Sequence, residues 1–238
     1  MAKKIRLLIN LYPVSDPGRL EELQLCLIKN ISNPFISEII VLDEGFQTNE
    51  LLAGPKVRVY PISRRPDFSD FYDYLNLDGY NLISNNDIWF DQSLRKVKWL
   101  CPGRYDLLGL TRTEPDGALF REGNGDSQDS WLFFGKAEPL KSCTFSMGMP
   151  GCENRLALLF FKKRYRVLNP SRVIRTRHQH ISNQRSYVRT DRLSGDYLLT
   201  KPIGLLQFHF FRLVLKLLQR SKILIVKNIS DPDLQPPA

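Results

Sequence analysis

Apolar residues in this chain come in short continuous runs, separated by segments where they recur every three or four positions. Ile5 to Leu11, Ile36 to Leu42, Val57 to Ile62 and Tyr80 to Ile83 are runs of the first kind and predict buried strands. Between the first two, Leu20, Leu23, Cys26 and Leu27 fall at helical spacing and predict a helix over Arg19 to Asn30. Phe68 to Leu75 predicts another helix. Strand–helix–strand alternation of this kind builds βαβ units and a largely parallel sheet, so the expected class is α/β. Further along, Leu94 to Leu100 and Leu156 to Lys163 read as helices. Asp106 to Thr111, Ser130 to Phe134 and Val173 to His180 read as strands, and Tyr165-Arg166-Val167-Leu168 ends at Asn169-Pro170. The glycine-rich stretch from Glu114 to Asp129 is a long loop, the kind that often covers a site.

The run Tyr80 to Ile83 breaks abruptly into Ser84-Asn85-Asn86-Asp87, small polar residues that favour a turn. Open α/β sheets bind ligands just beyond the carboxyl ends of their strands. A carboxylate delivered there among side-chain amides suits a hard divalent cation and, through it, a phosphate. Mg²⁺ and Mn²⁺ take only one or two protein carboxylates and fill their remaining positions with phosphate oxygens and water.

Composition narrows the setting. The 238 residues suffice for one well-packed domain, or one domain and a tail, and 42% hydrophobic with 25% charged residues indicates a globular chain. A net charge of +9 favours anionic partners. Cys26, Cys101, Cys143 and Cys152 are widely spaced without a CxxC pair, which points to free thiols rather than a zinc site or disulfide scaffold. Met1 to Lys4 runs straight into a strand-like segment too short and too early for a signal peptide, and no apolar run approaches the roughly 20 residues that span a bilayer, so a cytoplasmic protein is expected.

Taken together, four blocks resemble the GT-A glycosyltransferases, which move a sugar from a nucleotide-sugar to an acceptor. Ile40-Val41-Leu42-Asp43-Glu44-Gly45 is similar to the second-strand block usually written VVDDGS. Asn85-Asn86-Asp87 stands where the family keeps its DxD motif. Gly151-Cys152-Glu153, a helix and Tyr165-Arg166-Val167 resemble the G-E-D, helix, G-Y-x-V block, and His178 or His180 falls where many members place a metal-ligand histidine. The resemblance covers residues 4 to 182. It implies a Rossmann-like, mainly parallel sheet flanked by helices, and a GT-A domain over 1–187 followed by a C-terminal extension over 188–238.

The resemblance also implies roles. Asp87 would hold Mn²⁺ or Mg²⁺, with either His178 or His180 as second ligand. The family pattern has an acid at the first position of the DxD motif; Asn85 stands there, which leaves more of the ion's coordination to the diphosphate. Glu153 aligns with the catalytic carboxylate that deprotonates the acceptor hydroxyl during inverting transfer; Asp129 is the rival base, or equally a residue that binds the acceptor sugar or caps the strand. Asp43 and Glu44 resemble positions that contact the ribose or base, and Tyr12 is a candidate to stack on the base. Arg64, Arg65 and Arg19 are candidate diphosphate contacts or plain surface arginines; Arg155 and Arg177 are candidates to bind phosphate or to neutralise nearby acids. Trp89 and Trp131 read either as a platform for a sugar ring or as core.

Leu206, Phe210, Leu213 and Leu217, with Arg212, Lys216 and Arg220, predict a basic amphipathic helix over 205–220. Such a helix either lies on an acidic membrane surface or packs on the domain's own core. The expected partners are a nucleotide-sugar donor, a glycan or lipid-linked acceptor and that membrane surface. A nucleic-acid-binding protein is the alternative suggested by the charge, but the basic residues are scattered and no nucleic-acid motif is present. A sugar nucleotidyltransferase would share the sheet and the metal, but no glycine-rich, basic N-terminal loop for a triphosphate is visible.

Overall fold

Strand β1 (Ile5–Leu11), helix α1 (Pro17–Ser32) and strand β2 (Ile36–Asp43) form the first βαβ unit, the two strands pairing in parallel. The computed structural model describes residues 4–47, 49–121, 124–179 and 192–220. Asp16 caps α1 by accepting the Arg19 amide at 2.7 Å, and Pro17 opens the helix, where a missing N–H costs nothing. The chain continues through α2 (Asn49–Leu52) and β3 (Val57–Pro61) to β4 (Tyr80–Ser84), β5 (Ile88–Phe90) and α3 (Val97–Leu100). It then passes through β6 (Asp106–Leu110), β7 (Arg112–Thr113) and β8 (Ser130–Phe134) to α4 (Cys152–Lys162). The last elements are β9 (Arg166–Leu168), β10 (Thr176–His178) and α5 (Leu205–Arg220).

Seven strands make one sheet in the order β3-β2-β1-β4-β8-β6-β9. All neighbours are parallel except β8, which runs antiparallel to both β4 and β6. A small second sheet, β5-β10-β7, sits beyond the carboxyl end of β4. Because strand side chains alternate, the same runs feed two cores. Leu7, Ile9, Leu11, Val41 and Leu82 pack under α1 with its Leu23 and Leu27, and Phe208 of α5 joins them. Leu8, Ile40, Leu42, Ile83, Trp131 and Phe133 pack on the opposite face with Leu156 and Phe160 of α4. The continuous apolar runs therefore reflect a sheet covered on both faces.

Two expected helices are short or tight. Phe68–Tyr74 is a 3-10 helix, its Phe68, Phe71 and Tyr72 buried at nearly three-residue spacing. Gln92–Lys96 is also 3-10, and α3 after it lasts one turn, because Cys101 turns left-handed at φ 43° and Pro102 cannot continue a helix. The last expected strand is shorter than Val173 to His180 and runs over Thr176–His178; β5 and β7, three and two residues long, carried no readable pattern.

Helix α5 lies along β9 in the opposite sense. The Ile203 amide donates to the Asn169 carbonyl at 2.8 Å, just past the end of β9, and Gln219 reaches the Arg164 carbonyl at 2.7 Å, just before its start. Midway, buried Asp106 at the start of β6 takes the Gly103 amide at 2.7 Å, Arg166 at 2.6 Å and Arg212 at 2.8 Å. One carboxylate thus ties β9 and α5 to the sheet.

Candidate active site

The carboxyl ends of β1 and β4 are adjacent, and the residues following β4 bridge its neighbours. The Asn85 amide donates to the Asp129 carbonyl at 2.9 Å, and its side-chain amide reaches Asp129 Oδ1 at 3.2 Å. Asn86 turns the other way and donates to the Asn10 carbonyl at 3.1 Å, at the end of β1. The two asparagines therefore build the turn, and Asp87 is the group they present. Its Oδ2 lies 3.0 Å from Arg19 Nη2 and 3.5 Å from His178 Nε2. Burial alone would raise the Asp87 pKa, but His178 and Arg19 outweigh it and hold the carboxyl well below the usual range. Conversely, burial disfavours the His178 imidazolium, and Asp87 more than restores it.

His178 reaches Asp87 because β10 pairs antiparallel with β5 and places His178 opposite Ile88. Its Nδ1 faces Glu114 Oε2 at 3.7 Å, and Glu114 is held by Arg112 Nε at 2.8 Å. Arg177, the preceding residue, points away and pairs with Asp91 at 3.2 Å, so it serves the small sheet rather than the Asp87 cluster. His180 lies outside the described residues.

Arg19 is gripped on several sides. Its Nη1 pairs with fully buried Glu22 at 2.8 Å, its Nε and Nη2 donate to the Tyr12 hydroxyl at 3.3 and 3.2 Å, and Nη2 also reaches Asn86 Oδ1 at 3.5 Å. Tyr12 thus stands beside Arg19 at the end of β1. Glu44 accepts from Asn10 Nδ2 at 3.2 Å on the same edge, while Asp43 Oδ1 accepts the Gly45 and Phe46 amides at 3.0 and 2.7 Å and shapes the turn. Arg64 is exposed and pairs with Asp70 at 2.8 Å.

The two candidate bases differ in freedom. Asp129 is 6% exposed, and its oxygens receive Asn85, the Arg112 amide at 3.3 Å and the Arg112 guanidinium at 3.5 Å. Burial raises its pKa, and Asp87 adds to the rise against the pull of Arg112. Glu153, in the first turn of α4, is pushed up to about 7, first by burial and further by repulsion from Asp129. Gly151 precedes it at φ 84°, and a Cβ there would lie 2.9 Å from the Tyr197 ring, so only glycine fits on both counts. Asn154 anchors the same turn by donating to the Asp126 carbonyl at 2.7 Å and accepting from Gln128 at 3.4 Å.

Other expected contributors have structural duties. Trp131 is 1% exposed and packs edge-on against Phe68, which makes it core rather than a sugar platform. Trp89 has the Lys29 ammonium 3.8 Å from its ring centroid. Arg155 donates to the Asp196 carbonyl at 3.3 Å. The residues missed from sequence are Glu22, Asn10, Arg112 and Glu114. Glu22 alone had a readable signal, its spacing of three from Arg19 on one helix.

No protein-family model matches the chain, and no curated protein matches it either. Solved structures do. A mannosyltransferase from Pyrobaculum calidifontis, in complex with GDP-mannose and Mn²⁺, superposes with a TM-score of 0.53 at 13% identity, over 78% of this chain and 59% of that one. TarS residues 1–349 from S. aureus, in complex with UDP-GlcNAc, gives 0.51 at 10% identity, over 81% and 62%. The chain thus spans about three fifths of the length of each. The Asn-Asn-Asp turn after β4, the second-strand block and the α4 turn occupy the carboxyl edge of a mainly parallel sheet with one antiparallel strand. The chain has the fold of the GT-A nucleotide-sugar glycosyltransferases.

Proposed function

We propose that the protein is a glycosyltransferase that moves a sugar from a nucleoside-diphosphate-sugar to an acceptor hydroxyl with inversion. The observation that carries this reading is the meeting of Asp87, Arg19 and His178 at the carboxyl edge of β4, with Asp129 and Glu153 alongside, on this fold. The donor's base and ribose lie against Tyr12, Asp43 and Glu44, and its diphosphate lies over Asp87 and Arg19. Arg64 belongs to the donor side only if its Asp70 pair opens.

Asp87 and His178 offer one carboxylate and one imidazole; among the described residues no cluster of three or more His, Cys, Asp or Glu has metal-site geometry. That set fits Mn²⁺ or Mg²⁺ shared with a diphosphate rather than one caged by protein alone. Bound there, the ion supplies positive charge to the departing diphosphate.

The protein's own residues account for the rest. Glu153, with its pKa near 7, is the general base; it takes the acceptor proton as the acceptor oxygen bonds to the anomeric carbon and the bond to the diphosphate breaks. Asp129, with both oxygens engaged, orients Asn85 and Arg112 instead of acting as base. Arg19 offers the leaving diphosphate a fixed guanidinium, an electrostatic role that needs no reorganisation at the moment of reaction.

The test is slow donor hydrolysis without an acceptor. A panel of UDP-, GDP- and dTDP-sugars is incubated with the protein, and release of nucleoside diphosphate is followed. Hydrolysis of one donor, abolished by Asp87→Ala, supports the reading; no release from any donor, together with no donor binding, overturns it.

A further inference from the structure

Helix α5 is buried along one face and exposed along the other. Phe208 is fully buried in the main core, and Arg212 reaches Asp106 and the Leu100 carbonyl. Seen down the axis, Phe208, Arg212, Leu215 and Gln219 face the domain. Leu206, Phe210, Leu213 and Leu217, at the 4-3-4 spacing of one stripe, face outward and are 86%, 62%, 57% and 54% exposed. Phe211 and Leu218, at 42% and 41%, widen the stripe along one border. His209 and Lys216 border it on the other, both exposed. The helix contains no acidic residue.

An exposed apolar stripe of this length is costly in water and marks an interaction surface. Its chemistry decides the partner. A protein partner for a chain this basic would itself bring acids, whereas α5 supplies none to a second copy of itself. A helix with leucine and phenylalanine outward, Lys216 at the margin, no acid of its own and a chain charge of +9 matches an anionic lipid interface. No helix among the described residues is long and apolar enough to cross a membrane, so this contact lies along the surface.

We infer that α5 seats the protein on anionic membrane through the stripe Leu206, Phe210, Leu213 and Leu217. Its position bears on the transferase reading. The helix starts where Ile203 bonds to Asn169, and Asn169 Nδ2 donates to Thr111 Oγ1 at 2.9 Å, immediately before Arg112 of the site. The amino end of the stripe therefore stands at the same edge of the sheet as Asp87, and an acceptor carried on a lipid arrives at that edge. This consequence rests on the transferase reading; the membrane surface itself does not.

The full chain is sedimented with phosphatidylcholine vesicles and with phosphatidylcholine–phosphatidylglycerol vesicles, beside the double variant F210E/L213E. The protein should pellet with the anionic vesicles, less so in high salt, and weakly with the neutral ones. The double variant replaces two exposed side chains, so it should keep the parent melting curve while losing binding on the order of a hundredfold. A protein that stays in the supernatant with anionic vesicles overturns the proposal. So does a parent dimer in analytical ultracentrifugation that the double variant converts to monomer, since a second copy then covers the stripe. Nucleotide binding by F210E/L213E reports separately on the transferase reading: it should match the parent, and its absence from both proteins would sink that reading while leaving the vesicle result standing.

Discussion

The Arg19 guanidinium, carried by α1, lies 3.0 Å from the Asp87 carboxylate that follows β4. The pair joins the first βαβ unit to the turn of Asn85, Asn86 and Asp87, in which Asp87 is the one acid. An arginine set against that turn's carboxylate gives the site a fixed cation.

Arg19→Gln should therefore weaken nucleoside diphosphate binding about ten- to a hundredfold, the worth of a charged hydrogen bond of roughly 1.5–3 kcal/mol. Arg19→Lys should recover part of the charge but not the fork that also holds Tyr12 and Glu22. Calorimetric titration of both variants checks this, with thermal melts to confirm that each is folded.

Glu153 predicts a pH signature. On the transferase reading Glu153 is the base; a pKa of about 7 leaves it mostly charged only above neutrality, so turnover should rise through pH 7 as the proton leaves. Glu153→Gln should lower turnover by about 10²–10⁴-fold and erase that limb while leaving donor binding close to the parent. Stability moves the other way. A carboxyl raised from 4.5 to about 7 in the fold favours the native state most below 4.5, and this contribution is lost as pH rises through 7. At pH 8 the Gln variant should be the more stable by roughly 1–3 kcal/mol in urea titrations.

Gly151→Ala should destabilise the chain by about 1–3 kcal/mol, since the new Cβ meets both a left-handed backbone and the Tyr197 ring. Because Glu153 follows two residues later, turnover should fall further than donor binding. The double change Gly151→Ala with Tyr197→Ala should regain part of the stability, with the residual loss measuring the backbone strain.

Asp106→Asn should cost about 2–4 kcal/mol, because the buried carboxylate answers two guanidiniums and one amide. Arg212 and Arg166 then lose their shared anchor. Hydrogen exchange in α5 should quicken before the sheet opens.

The strands were legible because a sheet covered on both faces demands unbroken apolar runs, and Ile5 to Leu11 or Ser130 to Phe134 contain little else. Strand order was not, since nothing local in Ser130 to Phe134 says that it runs antiparallel between β4 and β6. Asp87 and Glu153 could be singled out by the turn and the helix start that deliver them. Arg112 and Glu114 could not, because one lies in and the other just after a two-residue strand whose register with β10 alone brings Glu114 to His178. Trp131 could be read either as a sugar platform or as core, and strand alternation turns it into the core.

The most direct test of the account is calorimetric titration of UDP, GDP, dTDP and CMP into the protein, each with Mn²⁺ and with a chelator. The account predicts that one nucleoside diphosphate binds, more tightly with Mn²⁺, and that Asp87→Ala removes the metal-dependent part while Arg19→Gln weakens both. If no nucleotide binds under either condition, the turn of Asn85, Asn86 and Asp87 is only a turn, and the transferase reading is wrong.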